Sequence, residues 1–452
     1  MKCIEEEIPF ELPEGWEWTF LSNIVCVLNG DRGQNYPAKN KLQNEGIPFV
    51  SASNIEDGVV SANGLLCLSD AQYNALGAGK LVSGDIVYCI RGSLGKCGLF
   101  TMEKGAIASS LVIVRSILDN THVRDYIFLY LNSAFADEEI KKYDNGSAQP
   151  NLAAKDFTHF LVPIPPQKEM QRINEQAQKA LGYVKSIQNS KSELCDAIAM
   201  TKSKILDLAI RGKLVPQDPN DEPASVLLER IRTEKEELIK QGKIKRDKKE
   251  SVIFKGEDNS YYLKIGNLTE TLDDWRIDDI PDSWGVCCLG EVCDYGNCTN
   301  VDTKDIPETA WILDLEDIEK DTGKVLQKLT LKERNSASTK HSFHKGQVLY
   351  SKLRPYLNKV VLADDEGYCT SEILPLDFND MVYPKYARYY LMSPTFLKYA
   401  NYCSYGVKMP RLGTNDGKKA ILTVPPLQEQ HRIVNAIETI FAKLDEIANA
   451  LS

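Results

Sequence analysis

The chain repeats itself at long range, and this constrains its architecture more than any local motif does. Pro166, Glu169, Arg172 and Ile173 recur as Pro426, Glu429, Arg432 and Ile433, 260 positions further on. The same separation runs backward without a gap through Gly146 and Gly406, Pro150 and Pro410, Leu152 and Leu412, Asp156 and Asp416, Leu131 and Leu391, and Tyr126 and Tyr386. Nearer the start of each copy, Pro13, Trp16 and Leu21 in LPEGWEWTFLSNI match Pro281, Trp284 and Leu289 in IPDSWGVCCLGEV at an offset of 268. Two copies of one domain therefore follow each other, and a repeat of this length decides the fold before any motif is considered. Between the matched ends the copies agree only at scattered points, such as Gly84, Ile86 and Tyr88 against Gly346, Val348 and Tyr350. The frame is shared while the interior is not, as expected of two related readers of unequal ligands.

Each copy has α+β character. Short apolar runs (IPFVSA, DIVYCI, SSLVIV; AWILDL, QVLYSKL, NKVVLA) separated by Gly, Asn, Asp and Ser predict strands. A helix is predicted from about Asp125 to Lys142, with a counterpart from about Lys385 to Cys403. Each copy ends in a double proline, which cannot donate to a sheet but suits a first helical turn, so Pro166 and Pro426 each open a helix. Met170, Ile173, Ala177, Ala180, Val184, Ile187, Leu194, Ile198, Ile205 and Leu208 then fall on alternating three- and four-residue steps, interrupted by Lys191 and Thr201, and Ile433, Ile437, Ile440, Leu444 and Ile447 reproduce the pattern. Neither stripe can be buried alone, so the two helices are expected to pack antiparallel as a coiled coil. The implied divisions are a first domain over 1–165, a central helix over 166–212, a spacer with a second charged helix and a linker over 213–279, a second domain over 280–425 and a closing helix over 426–452. In the spacer Pro216, Pro219 and Pro223 stop the long helix, a charged helix is predicted from about Ser225 to Lys240, and KQGKIKRDKKE follows as a solvated run.

The totals exclude several classes of function. No run of about 18 apolar residues could cross a bilayer, and the start MKCIEEEIPF lacks a signal-like apolar core, so a cytoplasmic protein with no membrane partner is expected. Twelve scattered cysteines do not form a disulfide framework, and Cys287, Cys288, Cys293 and Cys298 lack the CxxC pairs and histidines of a zinc site, so no metal is expected. Phosphate loops, dinucleotide fingerprints, GxSxG and HExxH are all missing, and no catalytic residue is assigned. Glu138, Glu139 and Lys141 imitate part of a nuclease site but are equally ordinary on an exposed helix. The net charge of −10 conceals a contrast: residues 302–321 are mostly acidic, whereas between Lys324 and Lys359 only Glu333 opposes nine lysines and arginines. One region can therefore be electropositive within an acidic molecule, the alternative being an ordinary solvated face.

Taken with the duplication, the phrases PPLQEQHRIV (Pro425–Val434) and LVPQDPNDEPASVLLERIR (Leu214–Arg232), supported by LPEGWEW and IPDSW, show that the chain resembles the specificity subunit of type I restriction-modification enzymes over nearly its whole length. The resemblance implies two tandem target-recognition domains of similar α+β fold, joined and separated by long antiparallel coiled-coil helices. It implies that they read a split, asymmetric target in double-stranded DNA, and that the chain scaffolds two adenine-methyltransferase subunits and the restriction and translocase subunits. S-adenosylmethionine, ATP and magnesium would belong to those partners, with no cofactor in this chain. The helix after the second domain is short, without a copy of the spacer, and no leading helix precedes the first domain, so equivalence of the two methyltransferase sites is not implied.

Loop residues that can donate to bases or phosphates are the candidate DNA contacts. They are Arg91, Ser93 and Lys96 with Ser147, Gln149 and Asn151 in the first domain, and Lys352, Arg354 and Lys359 with Lys408 and Arg411 in the second. Arginine can grip guanine with two bonds, Gln or Asn can do so for adenine, and many such side chains only hold phosphates. Two other readings compete: a metal-dependent nuclease or fused modification enzyme with a cryptic site, and a tandem protein-binding adaptor.

Overall fold

The computed structural model describes residues 8–144, 150–243, 251–258, 260–265, 268–272, 280–334, 336–378 and 382–451, and the chain forms two compact units, residues 1–189 and 190–452. In the first unit Glu17–Phe20 pairs antiparallel with Leu161–Ile164, so the copy opens and closes on one ribbon. Between these ends lie two sheets. One runs in the order Val25–Asn29, Leu111–Ser116, Ile86–Cys89, Cys97–Leu99, Val59–Val60, Ile55–Glu56; the other runs Cys67–Leu68, Ile47–Val50, Lys104–Ile107, Lys80–Val82.

Strand alternation explains the layers. Ile86, Tyr88, Val112 and Val114 face the helices, burying against Val123, Tyr126, Ile127 and Phe157, while Val87, Cys89, Leu111 and Ile113 face the other way against Val50, Leu81 and Ile107. The predicted single helix is in fact two, α1 (Thr121–Leu131) and α2 (Ala134–Tyr143). Ser133 makes the break, because its side chain accepts from the Ala136 N–H and caps a new helix.

The long helix α3 (Gln167–Ala209) has 43 residues and is about 65 Å long. Its start belongs to the first unit, where Met170 is buried and Ile173 half-buried against the α1–α2 core. From there the expected seam is uncovered: Val184, Ile187 and Leu194 are 49%, 68% and 40% exposed.

In the second unit the end of α3 meets the closing helix. α4 (Ala224–Lys240) follows the spacer prolines and buries Ala224, Leu227, Leu228 and Ile231 in the same core as Trp284. The stretch expected to be linker contains a three-stranded antiparallel meander, Ser251–Lys255, Tyr261–Ile265 and Leu268–Thr271. Ile253, Leu263 and Leu272 pack against Val286 and Cys288, which makes the meander part of this unit's core. Most of the basic run before it lies outside the described residues.

The second copy repeats the first. Gly285–Cys288 pairs with Ile421–Val424, and strands Val348–Ser351, Val360–Leu362 and Ile373–Leu376 form one sheet. Asn300–Val301, Lys340–Phe343, Gly367–Thr370, Trp311–Leu313 and Leu329–Thr330 form the other. The expected helix over 385–403 again divides, into α5 (Pro384–Leu391) and α6 (Pro394–Tyr402), with Ser393 capping the Phe396 N–H and Pro394 at the first helical position.

α7 (Leu427–Ala450) closes the chain. Thr423 Oγ1 donates to the Ile210 carbonyl, 2.9 Å away, at one end of the contact with α3, and at the other Lys202 pairs with Asp445 and lies 5.3 Å above the Phe441 ring. The helices therefore run antiparallel over the last turns of α3. Ile198, Ile433 and Ile437 are buried, Ile440 and Leu444 are partly buried, and Ile447 is 48% exposed. With 24 residues α7 reaches about 36 Å, too short to cover the seam of a helix of about 65 Å.

Candidate nucleic-acid interface

The frame holds its loops through contacts made twice. The indole N–H of Trp16 donates to Glu169, 3.2 Å away, and that of Trp284 donates to Glu429, 3.0 Å away. Tyr126 and Tyr130 donate to the carbonyls of Pro163 and Leu161; Tyr386 and Tyr390 donate to those of Thr423 and Ile421. Every one of these tyrosines and carbonyls is matched at 260 positions. Glu429 is fully buried, and burial lifts its carboxyl above the ordinary range despite bonds from Gln217 and Trp284.

On this frame two loops meet at one end of each copy. In the first, Gly92 N–H donates to the Pro150 carbonyl (3.0 Å) and Leu152 N–H to that of Ile90 (2.9 Å). In the second, Arg354 N–H donates to Pro410 (2.7 Å) and Leu412 N–H to Lys352 (3.0 Å). Isolated bridges join Arg91 to Asn151 and Leu353 to Arg411 at the same places. The candidate loops, far apart in sequence, are thus brought together within each copy.

A scan against family models decides the family: the type I restriction modification DNA specificity domain matches twice, over residues 13–194 and 281–452. The chain belongs to the type I restriction modification DNA specificity family. The EcoDI specificity subunit of Escherichia coli is 26% identical over 322 residues, covering 71% of this chain and 64% of the relative. The EcoEI specificity subunit of Escherichia coli is 24% identical over 518 aligned positions, covering 100% and 82%. The chain thus spans just under two thirds of the first relative and more of the second. A solved chain described for complex assembly and conformational transition of the type I R-M system superposes with a TM-score of 0.58 at 16% identity, covering 98% of this chain and 94% of that one, a likeness of fold.

Within the two specificity domains the candidate side chains have different surroundings. Arg91 is exposed and donates through Nε to Asn151 Oδ1 at 3.0 Å, which fixes both side chains, and Ser93 is exposed beside them. Arg411 is held on both oxygens of Glu372 at 2.8–3.1 Å, so its fork is already occupied. Lys408 stands exposed on the tight turn closed by Tyr405 and Arg411. Lys352 and Arg354 are half-buried and pair with no carboxylate among the described residues. Ser147 and Gln149 lie outside the described residues.

Lys96 and Lys359 have a structural task. Lys96 Nζ donates to the Ala52 carbonyl (2.9 Å) and Lys359 Nζ to that of Leu315 (2.7 Å). Both carbonyls open short 3-10 turns with reciprocal caps, Ser51 with Asn54 and Asp314 with Asp317. Lysine, carbonyl and cap residues all correspond at an offset of 263. The interior is therefore repeated in geometry although its chemistry differs, which sequence comparison missed.

The charge contrast resolves into internal pairing. Arg334, 7% exposed, meets Asp314, Glu316 and Asp317; the buried Lys340 meets Asp314; Lys328 meets Asp364 at 2.8 Å. Arg334 and Lys340 are neutralised by the acidic stretch before them and Lys328 by Asp364 after them, so part of the basic stretch is paired within the chain. The nuclease-like residues are also accounted for in part, since the buried Glu139 accepts from the Leu161 N–H and pairs with Lys142. Burial raises the thiols of Cys287, Cys288, Cys293 and Cys298, that of Cys288 to about 12. Among the described residues no cluster of three or more His, Cys, Asp or Glu is placed to hold a metal ion, and no helix is long and apolar enough to cross a membrane.

Proposed function

We propose that this chain is the DNA-reading subunit of a type I restriction-modification complex, each specificity domain reading one half of a split, asymmetric target. The observation that carries this reading is the pair of converging loops, joined by the same backbone bonds in both copies yet bearing different side chains. A shared frame fixes where each domain meets a duplex, and unlike residues at the meeting point give unlike sequence preferences. The chain itself carries no catalytic group in this reading. Two adenine-methyltransferase subunits modify the target, restriction and translocase subunits cleave, and S-adenosylmethionine, ATP and magnesium serve those partners in the cytoplasm. The uncovered stripe of α3 is where a helical partner surface would sit, in keeping with a scaffold.

Mapping methylated adenines in cells with and without this chain tests the reading. A bipartite motif that appears only when the chain is present is the expected result. Methylation at a single contiguous motif, or an unchanged pattern, would reject it. DNA altered by the purified chain with magnesium alone would favour a cryptic nuclease instead.

A further inference from the structure

The turn after the central strand of each copy contains two residues in the left-handed backbone region. In the first copy these are Gly92 and Gly95, with φ of +81° and +80°; in the second they are Arg354 and Asn358, with φ of +50° and +49°. The strand pairings fix the correspondence. Tyr88 pairs with Cys97 and Tyr350 with Val360, so the second turn is one residue longer. Gly92 and Arg354 donate to equivalent carbonyls of Pro150 and Pro410, which places them at one structural position.

Glycine adopts this conformation without a steric penalty, and asparagine tolerates it. Asn358 also has an evident task, since its Nδ2 donates to the Met392 carbonyl at 3.1 Å. Arginine has neither excuse. Among the described residues it is the only one other than Gly, Asn or Asp with positive φ, and the proline after it favours extended backbone instead. No side-chain contact offsets the strain: the guanidinium makes no hydrogen bond or ion pair among the described residues, and its Nε is buried without a partner. A glycine would serve the fold better here, as one does in the first copy, where a Cβ at Gly92 would meet nothing within 4 Å.

Strain that persists without repayment inside the chain points to repayment by a ligand. We propose that Arg354 is a specificity-determining residue that reads a guanine in the half-target of the second domain, and that the first domain has no counterpart because Gly92 stands there. The inference rests on the DNA-reading function proposed above. Its neighbours agree with it: Tyr405, Val407 and Met409 on the adjoining loop are 63%, 101% and 44% exposed, an apolar surround suited to base edges and thymine methyls rather than to phosphates.

The test uses the full chain with its methyltransferase partners in cells, mapping methylated adenines for the wild type, Arg354→Gly and Arg354→Lys. Arg354→Gly should unfold at the same or a higher temperature, which shows that the fold survives. It should relax one G·C position in one half-target by roughly 5- to 150-fold, leaving the other half unchanged. Arg354→Lys should relax the same position, because it keeps the charge but loses the two-bond fork. An unchanged motif for Arg354→Gly, or methylation weakened uniformly over all sites, would overturn the proposal, the latter marking a phosphate contact. A wild type that methylates no split motif would reject the DNA-reading function itself, an outcome separate from anything the variants show.

Discussion

At the scale of single residues, the two copies show how one contact can be placed in unequal surroundings. Glu169 and Glu429 both accept from a tryptophan, but Glu429 is fully buried and its carboxyl is held above its ordinary value of 4.5 by that burial. Just above pH 4.5 the unfolded chain has lost this proton while the native chain keeps it, so the native state is favoured by acid in that window. The advantage disappears as pH rises through the native value, where both states are ionised and the buried charge costs stability. Glu429→Gln removes the ionisation, so the unfolding temperature of the variant should fall less than the wild type's as pH rises above 4.5. Parallel curves for the two proteins across that range would show that Glu429 does not titrate there. This matched pair was legible in the sequence because Trp, Glu and Tyr have few chemical substitutes for a contact that must be kept. The match of Gly92 with Arg354 was not, since only the backbone conformation is shared.

Among the elements, α3 separates what periodicity shows from what it cannot. The three- and four-residue steps correctly gave a long helix; Ile198 is buried, whereas Met170 is buried in the first unit's own core instead of a helix–helix seam. A periodic stripe does not say what covers it, and α7 is too short to cover the stretch containing Val184 and Ile187. Replacing both with glutamine should therefore shift stability by no more than about 0.5 kcal/mol, the usual range for exposed positions. Under the proposed function, the same double variant should retain less methyltransferase when the complex is purified. Unfolding at a clearly lower temperature would instead mean that the stripe is covered within the chain. Other element boundaries were legible but passed over. Ser133 and the Ser393-Pro394 pair are cap signals inside apolar helical patterns, and the short strands of 251–271 follow a basic run whose charge suggested a linker.

For the whole molecule, the proposed function requires a chain of net charge −10 to approach a polyanion. Counting lysines and arginines along the sequence overstates its positive surface, because the three-dimensional fold gives Arg334, Lys340, Lys328 and Arg411 to carboxylates and Lys96 and Lys359 to backbone carbonyls. The candidate cations left near the converging loops are Arg91, Lys352, Arg354 and Lys408. Each phosphate neutralised contributes about −0.9 to the slope of log affinity against log salt on duplex DNA. If Arg91, Lys352 and Lys408 make all the phosphate contacts while Arg354 reads a base, the slope for the isolated chain should be about −3 or shallower, measured by titrating a labelled duplex at several salt concentrations. Substituting Lys408 with glutamine should then reduce the slope by about 1 without changing which sequence is preferred. A slope near −10 would mean that other basic residues carry the binding, and a Lys408 variant with altered sequence choice would move that residue from holding the backbone to reading bases.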